Sequence, residues 1–193
     1  MKKRTIKRSP RLFPLPVALV TCQRVGERAN IITISWIGVA CSDPPIIGIA
    51  VRKNRHSYDI LKGSDEFVIN IPDESLLWAA DRCGSTSGRD VDKFELCRLT
   101  PEESQEVSVP AIAECPVHLE CRLVKSLELG SHELFLGEVV RVAAREDLID
   151  ERGDIDLERM KAIIYSTADH YYWSLGKRLE YHGFSKRKGN EDF

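Results

Sequence analysis

The tightest constraint on this fold lies between Val117 and Arg141. Val117, Leu119, Cys121 and Leu123 alternate with His118, Glu120 and Arg122. A period of two sends the apolar side chains to one face of a strand and the polar ones to the other. Gly130-Ser131 supplies a turn, and Glu133 to Arg141 returns as a second strand, so the segment predicts a hairpin. Shorter strands are expected at Val17–Thr21, entered through Pro14 and Pro16, at Asn30–Ser35, at Pro45–Val51, and at Phe67–Ile71, closed by Pro72. Asn30–Ser35 is apolar on both faces, which predicts cover on both sides. Short helices are expected at Ser57–Leu61 and at Asp73–Cys83, the second capped by Asp73 with Leu76, Leu77 and Ala80 on one side. Gly84–Arg89 reads as a loop. Many short strands with irregular connections predict a mainly β fold, a closed antiparallel barrel with peripheral short helices, because closure removes exposed edges.

At 193 residues the chain suits one domain and can bury a core without disulfide or metal staples. The expected organisation is a basic N-terminal arm over 1–11, a domain over 12–184 and a polar, disordered tail over 185–193. Net charge is −2 with both signs mixed throughout, which argues against nucleic acid as a partner. The six cysteines include no CxxC pair, so they read as reduced, mostly buried thiols of a cytoplasmic protein rather than a disulfide framework or zinc site. The apolar run Leu12–Val20 follows six basic residues and superficially looks like a leader ending at Cys22. Pro14 and Pro16 interrupt it, and the reading is rejected. No segment reaches the ~18 apolar residues of a membrane span, so no membrane partner is expected.

The stretch from Ala29 to Tyr58 carries the chemistry. Two strands joined by Ser42-Asp43-Pro44-Pro45 lead into Arg52-Lys53-Asn54-Arg55-His56 and a helix beginning near Ser57. Backbone N–H donors, a hydroxyl and cations together can hold a phosphate. A solvated turn with a serine cap explains the same residues.

Asn30, Thr33, Ser35 and Trp36, then Ser42–Pro45, then the basic segment and Ser57, resemble the flavin reductase-like family of FMN-binding split barrels, within it the flavoredoxin-like branch. Phe67–Pro72, Ser87-Gly88-Arg89 with Asp92-Lys93-Phe94, and His132 with Phe135–Val139 extend the resemblance over roughly residues 10 to 180. It implies a Greek-key split barrel, non-covalent FMN, and a homodimer with FMN at the subunit junction. It also implies NAD(P)H or a redox protein as electron donor.

The resemblance implies a cofactor-binding set of Asn30, Ile31, Ile32, Thr33, Trp36, Ala40, Cys41, Ser42, Arg52, Lys53, Ser57, Tyr58, Arg89, Lys93, His132 and Tyr165. Asn30 offers a donor and an acceptor, although asparagine also suits a turn. Trp36 suits a flavin wall, a core or a dimer interface equally. Ala40 and Cys41 enter by position alone, through their backbone. Ser57, with Arg52 or Lys53 as counter-charge, is the expected phosphate hydroxyl. Lys93 is expected on a loop reaching the flavin, and His132 near the ring, where a cation or donor raises the reduction potential. Tyr165 belongs to an aromatic cluster with Tyr171, Tyr172 and Trp173 that also suits a core or subunit interface. No residue is certain as a catalytic group, and no metal is expected. No GxGxxG follows a strand, which disfavours a separate Rossmann site. Flavin reductase, flavoredoxin-type carrier and a flavin-binding or small-ligand module without turnover remain the readings to separate.

Overall fold

The structure is a computed structural model and describes residues 1–186. Residues 1–11 are exposed and form no helix or strand. Of the expected polar tail, Ser185 and Lys186 end a 3-10 turn (Phe184–Lys186), and 187–193 lie outside the described residues.

The chain enters through β1 (Leu15–Pro16) and β2 (Ala18–Cys22), turns at Gly26 and returns as β3 (Asn30–Ile34). β4 (Ile37–Ser42) follows at once and folds back into β5 (Pro45–Arg52); α1 (His56–Lys62) then leads to β6 (Glu66–Ile71). A 3-10 turn opens α2 (Leu77–Ser85), followed by α3 (Lys93–Cys97) and a ribbon of β7 (Pro101–Glu102) and β8 (Ala111–Ile112). The long hairpin is β9 (Val117–Leu129) with β10 (His132–Ala144), and α4 (Leu157–Met160), β11 (Ile163–Tyr165) and β12 (Tyr172–Ser174) complete the fold.

Seven strands make one antiparallel sheet in the order β3-β2-β6-β9-β10-β5-β4. Its two outermost strands, β3 and β4, are consecutive in the chain, so Ser35 and Trp36 join one end of the sheet to the other. The sheet therefore curls into a barrel left split at that seam, where Ala50 N–H donates to Trp36 O at 2.8 Å. A separate sheet, β1-β11-β12, brings the C-terminal tyrosines alongside.

Alternation sorts the core. Ala18, Val20, Ile32, Ile34, Ile49, Val51, Phe67, Ile69 and Phe135 fill the barrel, with Ile60 and Leu61 of α1 packed against them. The opposite faces of β2 and β3 present Leu19 and Ile31 to a second cluster with Ala79, Ala80 and Cys83 of α2 and Phe94 and Cys97 of α3. Both faces of β3 are thus covered, as its pattern predicts. Gly137 lets β10 pass the ring of Phe67: a Cβ there would lie 2.4 Å from Phe67 Cζ.

Several local features differ from expectation. β4 escapes a period-two reading because Gly38, Val39 and Ala40 are all exposed. Asp73 caps the 3-10 turn through Ser75 N–H (3.0 Å), and α2 begins only at Leu77. The hairpin strands run thirteen residues each, past the alternating core segment. Glu120, on the polar face of that segment, is 1% exposed. It accepts from Glu106 N–H at 2.6 Å, from Gln105 N–H at 3.2 Å and from Arg141 at 2.8 Å. Burial pushes its carboxyl up, but those three donors outweigh it and hold the group below the ordinary glutamate value.

Candidate functional site

The split at the seam opens a cleft of about 390 Å³. Ile32 to Trp36 form one edge, Ala50, Val51 and Arg52 of β5 another, and Asp81, Gly84 and Ser85 of α2 with Tyr165 and Tyr172 close the far side. Each wall follows from local structure. Thr33 points away from the barrel and donates to Ala80 O at 2.5 Å, and Gly84 lets α2 approach, since a Cβ there would stand 3.1 Å from Thr33 Cβ. Tyr172 donates to Asp81 at 3.1 Å, and its ring lies 5.4 Å from that of Tyr165. Across the opening Trp36 stacks on His132, with centroids 6.2 Å apart and planes within 16°.

A smaller polar pocket of about 90 Å³ adjoins this cleft, sharing Ile32, Arg55 and Gly84 with it. Asn54, His56 and Ser57 line it on one side, Thr86, Ser87 and Gly88 on the other, with Cys83 and Lys93 also in its wall. Ser57 is 3% exposed and accepts from Asn30 Nδ2 at 2.7 Å, which leaves the serine O–H to donate elsewhere. Gly88 abuts that pair so closely that a Cβ would fall 1.9 Å from Asn30 Oδ1. Arg28 donates to the carbonyls of Gly88 and Val91, and Arg89 pairs with Asp59 at 2.8 Å, which fastens the loop over the pocket. Among the described residues neither Arg52 nor Arg55 has an acidic side chain within salt-bridge distance, so both leave positive charge at the opening.

One expected residue differs in its setting, and the structure defines the environment of another. Lys93 is the first residue of α3 rather than a loop lysine, and it is 5% exposed. Asp92 starts that helix by accepting from Phe94 and Glu95 N–H, and Lys93 Nζ donates to Ile31 O at 2.7 Å and Cys83 O at 2.6 Å. Burial pushes its pKa below the ordinary lysine value. His132 is pushed below the ordinary histidine value by burial and then by Arg52, which favours its neutral form and the donor role of the expected cation-or-donor pair. Its Nδ1 lies 2.9 Å from Ser131 Oγ; accepting there leaves the proton on Nε2.

The cleft thus gathers Ile32, Thr33, Trp36, Arg52, His132 and Tyr165, and the smaller pocket gathers Ser57 and Lys93, with Asn30 behind Ser57. Other residues of the expected set lie elsewhere. Ile31 is fully buried in the outer cluster and lends only its carbonyl to Lys93. Lys53 is engaged by Glu128 at 2.7 Å, and Tyr58 donates to Glu133 at 2.8 Å while its ring packs edge-on to Phe135. Arg89 is spent on Asp59. Ala40, Cys41 and Ser42 lie toward the far end of the β4–β5 hairpin and line neither space. Conversely, Asp81 and Ser85 line the cleft without a signal in sequence, and Tyr172, visible only as a member of the C-terminal aromatic cluster, joins them, because α2 and β12 reach the cleft only through the tertiary fold. Among the described residues, no group of three or more His, Cys, Asp or Glu could hold a metal, and no helix is long and apolar enough to cross a membrane.

The class these features define is a flavin-type split barrel. Residues 10–171 match the family described as flavin reductase like domain, and the chain belongs to it. An uncharacterized protein of Archaeoglobus fulgidus is 33% identical over 156 residues, 81% of this chain and 87% of that protein. Among solved structures, the flavoredoxin of Desulfovibrio vulgaris (Miyazaki F) is similar with a TM-score of 0.91 and 28% identity, covering 96% of this chain and 100% of that one. An FMN-binding protein from Thermus thermophilus, solved with bound 1-cyclohex-2-enone, gives 0.77 and 26%, covering 94% and 99%.

Proposed function

We propose that the chain binds FMN non-covalently and acts as an oxidoreductase or electron carrier, taking electrons from NAD(P)H or from a redox-protein partner. At the coarser level, membership of the family supports flavin-related oxidoreductase chemistry. The observation that carries the finer reading is the junction of two unlike spaces at Ile32, Arg55 and Gly84. A wide cleft edged by aromatic and apolar side chains suits a planar ring, and a narrow pocket with hydroxyls and a cation suits its phosphorylated tail.

In this reading the Ser57 hydroxyl, already oriented by Asn30, donates to a phosphate oxygen, and Arg55 supplies the counter-charge. The Trp36 and His132 stack borders the ring, with Tyr165 and Tyr172 opposite. Bound flavin itself supplies hydride and one-electron exchange, so the protein's contribution is to bind, orient and tune charge. His132 offers an Nε2–H donor without adding a full charge, and Arg52 beside it supplies the positive potential that favours a reduced, anionic ring. Lys93, with two of its three N–H groups on carbonyls, braces the pocket wall more than it reaches the ligand.

The reading includes a homodimer. Val39 (79% exposed), Trp78 (62%) and Trp173 (54%) are apolar surface that a second copy would cover. Ala40, Cys41 and Ser42, on the same exposed strand as Val39, would meet a cofactor only across such a contact.

The test is anaerobic addition of NADH, NADPH or a reduced ferredoxin-like donor to FMN-loaded protein. Bleaching of the flavin band by any of them, but not in a Ser57→Ala, Arg55→Ala double variant that fails to load, is the expected result. FMN reduced by dithionite alone would favour a binding module without turnover. Gel filtration after reduction separates a retained prosthetic group from a released substrate.

A further inference from the structure

We propose that Cys83 and Cys97 are a modification site: they form a reversible disulfide that joins α2 to α3 beside the smaller pocket. The inference does not rest on the flavin reading. The two sulfurs lie 3.5 Å apart, with Cys83 fully buried and Cys97 7% exposed. Cys115 belongs to the same buried cluster, but among the described residues no other two cysteine sulfurs come within hydrogen-bonding distance. No CxxC spacing announces the pair, because it is assembled by packing of α2 and α3 on the outer face of β3.

The contact is held in place before any bond forms. Lys93 stands one helical turn ahead of Cys97 on α3 and donates to the Cys83 carbonyl at 2.6 Å, so the end of α2 and the start of α3 are already tied together. Reaching the ~2.0 Å of a disulfide requires the sulfurs to close by about 1.5 Å. α3 has five residues and ends on Arg98 in the left-handed region, so side-chain rotation and a slight shift of this short helix supply the movement. Cys83 is fully buried but belongs to the wall of the smaller pocket with Ser57, Gly88 and Lys93, so the pocket is the side from which a small oxidant would approach once the wall opens locally.

With a peroxide as oxidant the step balances as follows. The Cys83 thiol loses its proton, and its sulfur attacks one peroxide oxygen; the O–O bond breaks, giving a sulfenic acid and water. The Cys97 sulfur then displaces the sulfenic hydroxyl, and the Cys97 proton leaves with it as a second water. Two thiols are oxidised and one peroxide is reduced. Burial pushes the Cys83 thiol up to about 12, with Cys97 adding to the rise and the Lys93 ammonium opposing it. The thiolate is therefore scarce at neutral pH, and the reaction accelerates as pH rises. The bond closes the segment Gly84–Leu96, which includes the pocket rim at Thr86, Ser87 and Gly88, and so restricts the unfolded chain.

The experiment treats the full chain with dilute hydrogen peroxide, blocks remaining thiols under denaturing conditions and digests with trypsin. Cleavage after Arg82, Arg89, Lys93 and Arg98 should release Cys83–Arg89 joined to Phe94–Arg98, in a chain that has lost one thiol pair. Dithiothreitol should separate the peptides, the rate should rise with pH, and the oxidised chain should melt above the reduced one. That increase should vanish in Cys83→Ser and Cys97→Ser, or in the alanine variants if serine disrupts the core, and persist in Cys22→Ser. The proposal is overturned if the Cys83 and Cys97 thiols both survive a treatment that modifies the more accessible Cys41. It is equally overturned if Cys83 over-oxidises without cross-linking, or if the bond formed involves another cysteine or joins two chains.

Discussion

Replacing Glu133 by glutamine tests how the site's helix is held. Glu133 sits next to His132 on β10 and is 1% exposed; its two oxygens accept from Tyr58 OH at 2.8 Å and Lys62 Nζ at 2.9 Å, both on α1. A bond with Ser126 and then those two bonds outweigh burial and lower its carboxyl from 4.5 to about 2. At ~1.4 kcal/mol per pKa unit that shift corresponds to roughly 3 kcal/mol. Lys62 is 43% exposed, so screening reduces the figure to about 1–2 kcal/mol. The sign follows from the depressed value: the stabilisation is complete above pH 4.5 and is lost as pH falls toward 2. Urea unfolding at pH 7 should find Glu133→Gln less stable by about 1–2 kcal/mol, equivalent to roughly 3–6 °C in Tm. The gap should narrow steadily when the titrations are repeated at lower pH. A difference between variant and parent that stays constant from neutral to acid pH would refute the assignment of that stability to the ionised carboxylate.

Other substitutions probe the close approaches and the site. Gly137→Ala should destabilise the fold by about 1–3 kcal/mol in urea unfolding, because its methyl would meet the fully buried ring of Phe67 at 2.4 Å. Gly88→Ala should weaken FMN binding at least about tenfold, ~1.4 kcal/mol, by displacing Asn30 from Ser57; unchanged affinity in a fluorescence titration would mean that this pair does not shape the seat. His132→Ala should leave FMN bound but lower its reduction potential, and any histidine-linked inflection in the parent's potential should fall below pH 6.5, the ordinary value from which His132 is depressed. A potentiometric titration giving the same potential in variant and parent would remove His132 from the tuning role.

Much of the barrel is legible in sequence because strand period and proline punctuation are local properties. The Val117–Leu123 alternation, the Gly130-Ser131 turn and the two-sided cover of Asn30–Ile34 all appear where pattern places them. What pattern misses is set by partners distant in the chain. Glu120 lies on the polar face by alternation, yet the 105–106 backbone folds over it and Arg141 reaches it from β10. Lys93 reads in sequence as a loop lysine reaching toward the flavin, because the carbonyls that bury its ammonium belong to Ile31 and Cys83, outside its own segment. Ser57 and the basic segment are visible as a local cluster, whereas Asp81, Ser85 and Tyr172 reach the cleft through helix packing and a separate sheet. The Cys83–Cys97 contact is likewise a product of two helices meeting, with no spacing rule behind it.

The most direct measurement is equilibrium titration of purified, flavin-free protein with FMN, read by absorbance or quenching of flavin fluorescence, alongside riboflavin, which lacks the phosphate. The account predicts saturable binding of one FMN per chain, weaker riboflavin binding, and a Ser57→Ala variant that loses most of the preference between the two. Absence of FMN binding at large excess, or equal affinity for both flavins in the parent, would contradict the assignment of the smaller pocket as a phosphate seat.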